Sequence, residues 1–205
     1  MKKVISIIFV IVFLLVCLWI VQIMNGEMPY LDKLSRPYVA QFAGTNVHMF
    51  FSFITNFGGK KIVIPFTITM ALVFLIMYQN IVPSLFFAFG TLGGHLLNEC
   101  IKHVVQRERP SISVALGAEG FSFPSGHAMN AIICFGLFTY FLTKKIESKT
   151  IRKVLWTVAS IVILLVGISR YVLNVHYLTD VIAGFFIGSL YVFCLLILFY
   201  KVYKK

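Results

Sequence analysis

Three short stretches of this chain carry residue types that can do chemistry together. The first reads Lys102-His103-Val104-Val105-Gln106-Arg107-Glu108-Arg109-Pro110. Lys102 and Arg109 are seven residues apart, so they share one face for as long as a helix persists, and His95 and Glu99 precede them on that face. Pro110 predicts a stop or turn near Arg109. The second stretch is Phe121-Ser122-Phe123-Pro124-Ser125-Gly126-His127. Pro124 suits a first helical position, which puts Ser125 and Gly126 in the first turn, where free N–H groups favour an anion. Gly126 allows close backbone approach, and His127 stands ready to move a proton beside it. The third stretch runs from Ser169 and Arg170 to His176 and Asp180. His176 and Asp180 are four apart, so on a helix the carboxylate can hold the imidazole, fix its tautomer and leave the other nitrogen free.

Each stretch taken alone also has a plainer structural reading: a basic anchor reaching to lipid head groups, a loop-to-helix cap, a buried His–Asp pair. Together they offer three cations (Lys102, Arg109, Arg170), a helix N-terminus, two histidines and one orienting carboxylate. The sequence has no glycine-rich Walker loop and no carboxylate set suited to Mg²⁺. Cations around an anion, with one histidine as nucleophile and another as proton donor, are what metal-free phosphoryl transfer needs. Neither metal nor cofactor is expected. The same residues leave other readings open. A serine hydrolase would use Ser125, His176 and Asp180, but the G-x-S-x-G elbow is missing and three cations are left without a task. A zinc hydrolase would use the two histidines and the aspartate. A lipid carrier, flippase or channel would need only a polar lining.

The elements that position these residues must lie in a membrane. Of 205 residues, 60 % are hydrophobic and 12 % charged, with a mean hydropathy of +0.93. A soluble domain carries about 25 % charged residues. This composition excludes a soluble globule, a disordered chain and a disulfide scaffold. The net charge of +11 is spread over chain ends, one loop and span ends rather than along a stripe, so no nucleic-acid partner is expected. The cysteines Cys17, Cys100, Cys134 and Cys194 lie in apolar stretches and read as small core residues.

Uninterrupted apolar runs predict six spans: Val4–Ile23, Ile62–Tyr78, Ile81–Gln106, Ser125–Leu142, Val154–Leu173 and Leu178–Phe199. Between the first two, Leu31, Leu34, Tyr38 and Phe42 recur at helical spacing in a segment too polar to span, so it is read as interfacial. The fold class is therefore all-α: a polytopic six-helix membrane bundle with an interfacial helical segment, forming one domain over 1–205. The glycine pairs Gly90/Gly94 and Gly184/Gly188 predict close helix packing inside the bundle. With both termini cytoplasmic, ten basic residues lie inside and eight outside, the cluster from Lys144 to Lys153 deciding the balance. All three chemical stretches then meet at the extracytoplasmic face of a cell membrane. The loop from Ser111 to Ser122 borders the site, and its Gly117-Ala118-Glu119-Gly120 stretch reads as mobile.

The three stretches resemble the signature motifs of the type 2 phosphatidic acid phosphatase family, a superfamily that also includes soluble vanadium haloperoxidases. K-x-x-x-x-x-x-R-P is met by Lys102 to Pro110, P-S-G-H by Pro124 to His127, and S-R-x-x-x-x-x-H-x-x-x-D by Ser169, Arg170, His176 and Asp180. The motifs span residues 102–180. The resemblance implies that His176 attacks phosphorus, Asp180 orients it, and His127 protonates the leaving oxygen and later activates water. It implies that Lys102, Arg109, Arg170, Ser125 and the Gly126 N–H bind the phosphate. Glu99 and His95 lie outside the motifs and are expected as neighbours of that set. The implied substrate is a membrane lipid phosphate: phosphatidylglycerol phosphate first, undecaprenyl diphosphate or phosphatidic acid as alternatives. Oligomeric state is left open.

Overall fold

A computed structural model describes residues 2–110 and 118–203. In chain order the helices are α1 (Lys2–Met24), α2 (Tyr30–Val39), α3 (Asn46–Ile54), α4 (Lys60–Tyr78), α5 (Ile81–Val105), α6 (Gly126–Lys144), α7 (Lys149–Val172) and α8 (Leu178–Tyr203). Short 3₁₀ turns, Ala40–Phe42 and Thr55–Gly58, follow α2 and α3. The six long helices α1 and α4 to α8 are each long and apolar enough to cross a membrane. They fall where the apolar runs place them, and no strand occurs among the described residues.

The span ends are set by local chemistry. The Asn80 side chain accepts from Val82 N at 2.9 Å to start α5, and Ser148 caps α7 in the same way. Gln79 and Gln106, both at φ 50°, end α4 and α5 in the left-handed conformation.

Helix α6 is the hub, packed against α5, α7 and α8. Of its apolar window 61 % is buried, against 6 % for α1, which lies at the edge of the bundle. Lipid tails are as apolar as leucine, so the outward Ile, Leu and Phe side chains of α1 carry no penalty there. The core between α4, α5, α6 and α8 is aromatic: Phe74, Phe87 and Phe141 are buried, with Phe199 edge-on to Phe141 at 5.1 Å. The paired glycines serve this packing, as expected. A Cβ at Gly184 would stand 2.7 Å from Ser125 O, and one at Gly94 would strike Ile133.

One expectation needs correction. Only Cys134 is buried, whereas Cys100 and Cys194 are exposed, because an apolar stretch in a bilayer has a lipid-facing side as well as a core side. The interfacial segment ends at the 3₁₀ turn Ala40–Phe42, and a separate helix too short to span, α3, follows it, started by Thr45 accepting from His48 N at 3.3 Å. In α2 the apolar residues Leu34 and Tyr38 face outward while Asp32 is buried, the reverse of a helix on a water-soluble core.

Candidate active site

The C-terminal ends of α5 and α7 meet the N-terminal ends of α4, α6 and α8 at one end of the bundle. All three chemical stretches lie there.

The nucleophile side is built by the turn between α7 and α8. Val175 N and His176 N both donate to Arg170 O, at 3.1 and 3.2 Å, and Asn174 takes a left-handed φ of 53° to close the turn. His176 thus precedes α8 instead of sharing a helix face with Asp180. Asp180 stands in the first turn of α8 and its Oδ2 accepts from Tyr177 N at 2.9 Å, so one carboxylate caps the helix and meets the imidazole. Oδ2 also accepts from Ser122 Oγ at 2.5 Å and lies 3.4 Å from His176 Nδ1. Ser122 Oγ lies 3.3 Å from that same Nδ1. The serine proton is committed to Asp180, so both oxygens near Nδ1 are acceptors and Nδ1 carries the imidazole proton. Nε2 is left with its lone pair, 3.1 Å from Arg109 Nη1. Burial pushes the His176 pKa down to about 3, against the opposing pull of Asp180, so the ring is neutral at physiological pH.

Arg109 does not share a helix face with Lys102. Helix α5 stops at Val105, and Gln106 N donates to Lys102 O at 2.8 Å in a left-handed cap four residues before Pro110. The chain beyond has no regular secondary structure, and Ser122 N donates to Arg107 O at 2.8 Å. Arg109 reaches back to donate to Val175 O, Gly120 O and Glu119 O, each at 2.9 Å. The described part of the loop, Ala118 to Ser122, is therefore tied to Arg109, while 111–117 lie outside the described residues.

The other side of the site is formed by the start of α6. Ser125 caps the helix, so the first helical position falls to Gly126 and not to Pro124: the φ and ψ of Ser125 are −65° and 113°, and its side chain accepts from Ala128 N at 3.5 Å. Pro124 stands one residue before the cap. Ser125 N donates to Asp180 O at 3.0 Å, which joins α6 to the start of α8. Gly126 is the first helical residue. A Cβ there would lie 2.9 Å from Asn98 Oδ1 and 3.7 Å from Lys102 Nζ, so Lys102 stands over this helix end. Glu99 pairs with Lys102 at 3.3 Å, whereas His95 lines a groove between α4 and α5 and reaches no motif residue by hydrogen bond among the described residues. Arg170 donates from Nη1 to Thr55 Oγ1 at 2.7 Å and has a buried Nε without a partner. His127 lies within electrostatic reach of Arg170, His176, Lys102 and Arg109, and its Nε2 stands 3.6 Å from where a Cβ on Gly59 would be.

The PAP2 superfamily matches residues 83–204, which contain all three motifs. This chain belongs to the PAP2 superfamily. It is 35 % identical over 144 residues to phosphatidylglycerophosphatase B of Bacillus subtilis (strain 168), covering 68 % of this chain and 69 % of that one. Its fold is similar to the crystal structure described as the first transmembrane PAP2 type phosphatidylglycerolphosphate phosphatase from Bacillus subtilis. The TM-score is 0.80 at 25 % identity, over 92 % of this chain and 96 % of the other. The family resemblance, the all-helical class and the multi-pass membrane placement are thus borne out.

Four residues with a place in this PAP2 site had no assigned task in the sequence. Ser122 and Asn98 sit beside motif residues, and Asp32 and Thr55 come from between α1 and α4, in α2 and in the 3₁₀ turn after α3. Arg107 joins them: it ion-pairs with both Asp180 and Asp32. Burial works against its charge, and Asp180 and then Asp32 more than offset this, holding its pKa above the ordinary arginine value. Arg107 stands within the first stretch, but nothing in its spacing or in the local sequence of Asp32 pointed to the pair.

Proposed function

We propose that this protein is an integral-membrane lipid phosphate phosphatase that hydrolyses phosphatidylglycerol phosphate through a phosphohistidine on His176, without a metal. The observation that carries this reading is the state of His176. Its Nδ1 proton is held by Asp180 and Ser122, and its Nε2 lone pair points at Arg109 in a ring of cations.

The terminal phosphate occupies the space between Arg109, Arg170, Lys102 and the α6 N-terminus. Arginine forks suit its oxygens, and the Gly126 N–H adds a backbone donor. Nε2 forms the bond to phosphorus as the bond to the lipid oxygen breaks, and His127 gives that oxygen its proton. The neutral His127 then takes a proton from water, whose oxygen displaces Nε2 and releases phosphate. Asp180 stabilises the positive charge on the phosphorylated ring. A serine nucleophile fits less well. Ser122 stands on the Nδ1 side with Asp180, the wrong nitrogen for activation, and the Ser125 hydroxyl is buried and caps α6.

The lipid reading is supported by a cavity of about 260 Å³ between α4 and α5, lined by Val63, Ile64, Phe89 and Leu92, with Lys60 and His95 also in its wall. An acyl chain can lie there while the head group reaches the cations. The charge balance supports cytoplasmic termini and an extracytoplasmic site.

The test is phosphate release by purified protein in detergent with EDTA, from phosphatidylglycerol phosphate, phosphatidic acid and a polyprenyl diphosphate. Metal-independent release, fastest from phosphatidylglycerol phosphate and absent in His176→Ala, is expected. Equal release by the variant, or dependence on added metal, contradicts the mechanism, and faster release from another lipid corrects the substrate.

A further inference from the structure

We propose that Asp32 and Arg107 are positioning residues for Asp180, and that the charge of Asp32 gives the buried group facing His176 a net negative charge. The inference rests on the phosphatase reading above.

Arg107 bridges two carboxylates from distant parts of the chain. Its Nη1 donates to Asp180 Oδ1 at 2.5 Å and to Thr179 Oγ1 at 2.9 Å, and its Nη2 donates to Asp32 Oδ2 at 2.6 Å. Asp32 accepts in addition from Thr179 N at 3.0 Å and Thr179 Oγ1 at 2.6 Å. The guanidinium lies 3.8 Å from the centre of the Tyr177 ring. Asp32 is 1 % exposed, Arg107 7 % and Asp180 0 %. Burying three charges is unfavourable unless each is paired, and replacing such a group by apolar residues is often neutral or better for stability. An interfacial helix could dock through leucines instead, so the ions call for a reason in the chemistry.

Geometry supplies the first reason. With Oδ1 held by Arg107, the carboxylate of Asp180 cannot rotate, and Oδ2 is kept for Ser122, Tyr177 N and His176 Nδ1. The planar fork of arginine holds both carboxylates and Thr179 in one fixed geometry, where the rotatable donors of a lysine would not fix it.

Charge supplies the second. When Nε2 bonds to phosphorus, the imidazole keeps its Nδ1 proton and becomes positive. Asp180 paired only with Arg107 would be neutral overall and would do little for that charge. Two carboxylates on one guanidinium leave one net negative charge beside the ring. Asp32 thus restores what Arg107 takes from Asp180.

Four variants test this: Asp32→Asn, which removes the charge and keeps the shape while turning one accepting oxygen into a donor, Arg107→Gln, their combination, and His176→Ala as the inactive reference. Readouts are kcat and KM for phosphatidylglycerol phosphate, inhibition by orthovanadate, which becomes five-coordinate when a nucleophile adds to it, and melting temperature in detergent. Asp32→Asn is expected to lower kcat about 10- to 100-fold, the range seen when a group orienting a working histidine is lost, with KM within about twofold. Orthovanadate inhibition should weaken in parallel. The double variant, which leaves Asp180 as the one negative charge and removes the buried carboxylate that Arg107→Gln strands without its partner, should be more active than Arg107→Gln alone, by about fivefold or more, as non-additive neighbours behave. A folded Asp32→Asn protein with kcat and orthovanadate inhibition within about twofold of wild type overturns the proposal. If Asp32→Asn does not fold, a double variant no more active than Arg107→Gln overturns it. Loss of the phosphatase reading itself is separately visible, as a wild type without activity or a His176→Ala protein that retains it.

Discussion

The two halves of this site are built on opposite plans. On the nucleophile side, both oxygens of Asp180 and the Nδ1 of His176 have partners, and His176 is 2 % exposed. On the phosphate and acid side, Arg170 has a buried Nε with no partner, and the His127 ring makes no hydrogen bond among the described residues. The difference follows from what each half must do. A nucleophile works in one tautomer and one orientation, so the protein fixes both before substrate arrives. Arg170 and His127, which would bind phosphate and pass a proton, stay open for the ligand, whereas Arg109 is tied to backbone carbonyls and stands with the fixed half. The Arg170 Nε left without a partner is therefore a donor that a phosphate would satisfy.

Asp180→Asn should break the fixed half most severely. An amide in place of the carboxylate presents a donor where Nδ1–H needs an acceptor, and kcat should fall about 10³- to 10⁴-fold, as in triads that lose their tautomer control. Steady-state phosphate release measures it. Arg170→Lys breaks the open half. It keeps the charge but loses the fork, one arm of which is on Thr55. A fall of about 10²- to 10³-fold in kcat/KM is expected, the range for losing one donor to the transition state. Gly126→Ala sharpens the comparison at the α6 end, because a methyl there would sit 2.9 Å from Asn98 Oδ1. About a tenfold loss of kcat/KM is expected, equivalent to ~1.4 kcal/mol, with relief when Asn98→Ser is added. The smallest effect concerns stability. His176 is neutral in the fold down to about pH 3, while the unfolded chain protonates it near pH 6.5, so stability falls as pH drops through that window. From pH 7 to 5 this costs about 1–2 kcal/mol, and the melting temperature of wild type should drop more than that of His176→Gln.

Much of the fold was legible because a bilayer leaves few choices. Uninterrupted apolar runs near spanning length must be helices, and their order put the three motifs at one end. The residues within the motifs were also legible, since Lys102, Arg109, Arg170, His127 and His176 are ionisable groups at span ends, where polar groups are unfavourable without a task. What was not legible came from contacts distant in sequence. The link from Asp32 to Arg107 joins residues 75 positions apart, and Arg170 meets Thr55 across 115. No periodicity encodes such pairs. The shared helix faces of Lys102 with Arg109 and of His176 with Asp180 failed for a different reason. Spacing suggested shared faces, but a left-handed cap at Gln106 and the turn at Asn174 ended the helices first.

The most direct test is the site of covalent phosphate. His127→Asn should slow hydrolysis of the intermediate more than its formation, so enzyme quenched during turnover of phosphatidylglycerol phosphate labelled in its terminal phosphate should carry the label. Peptide mass spectrometry at alkaline pH, where phosphohistidine survives, should place one phosphate on His176 and none after His176→Ala. Label on Ser122 or Ser125, or turnover by wild type with no label on His176 in the His127→Asn protein, would contradict the account.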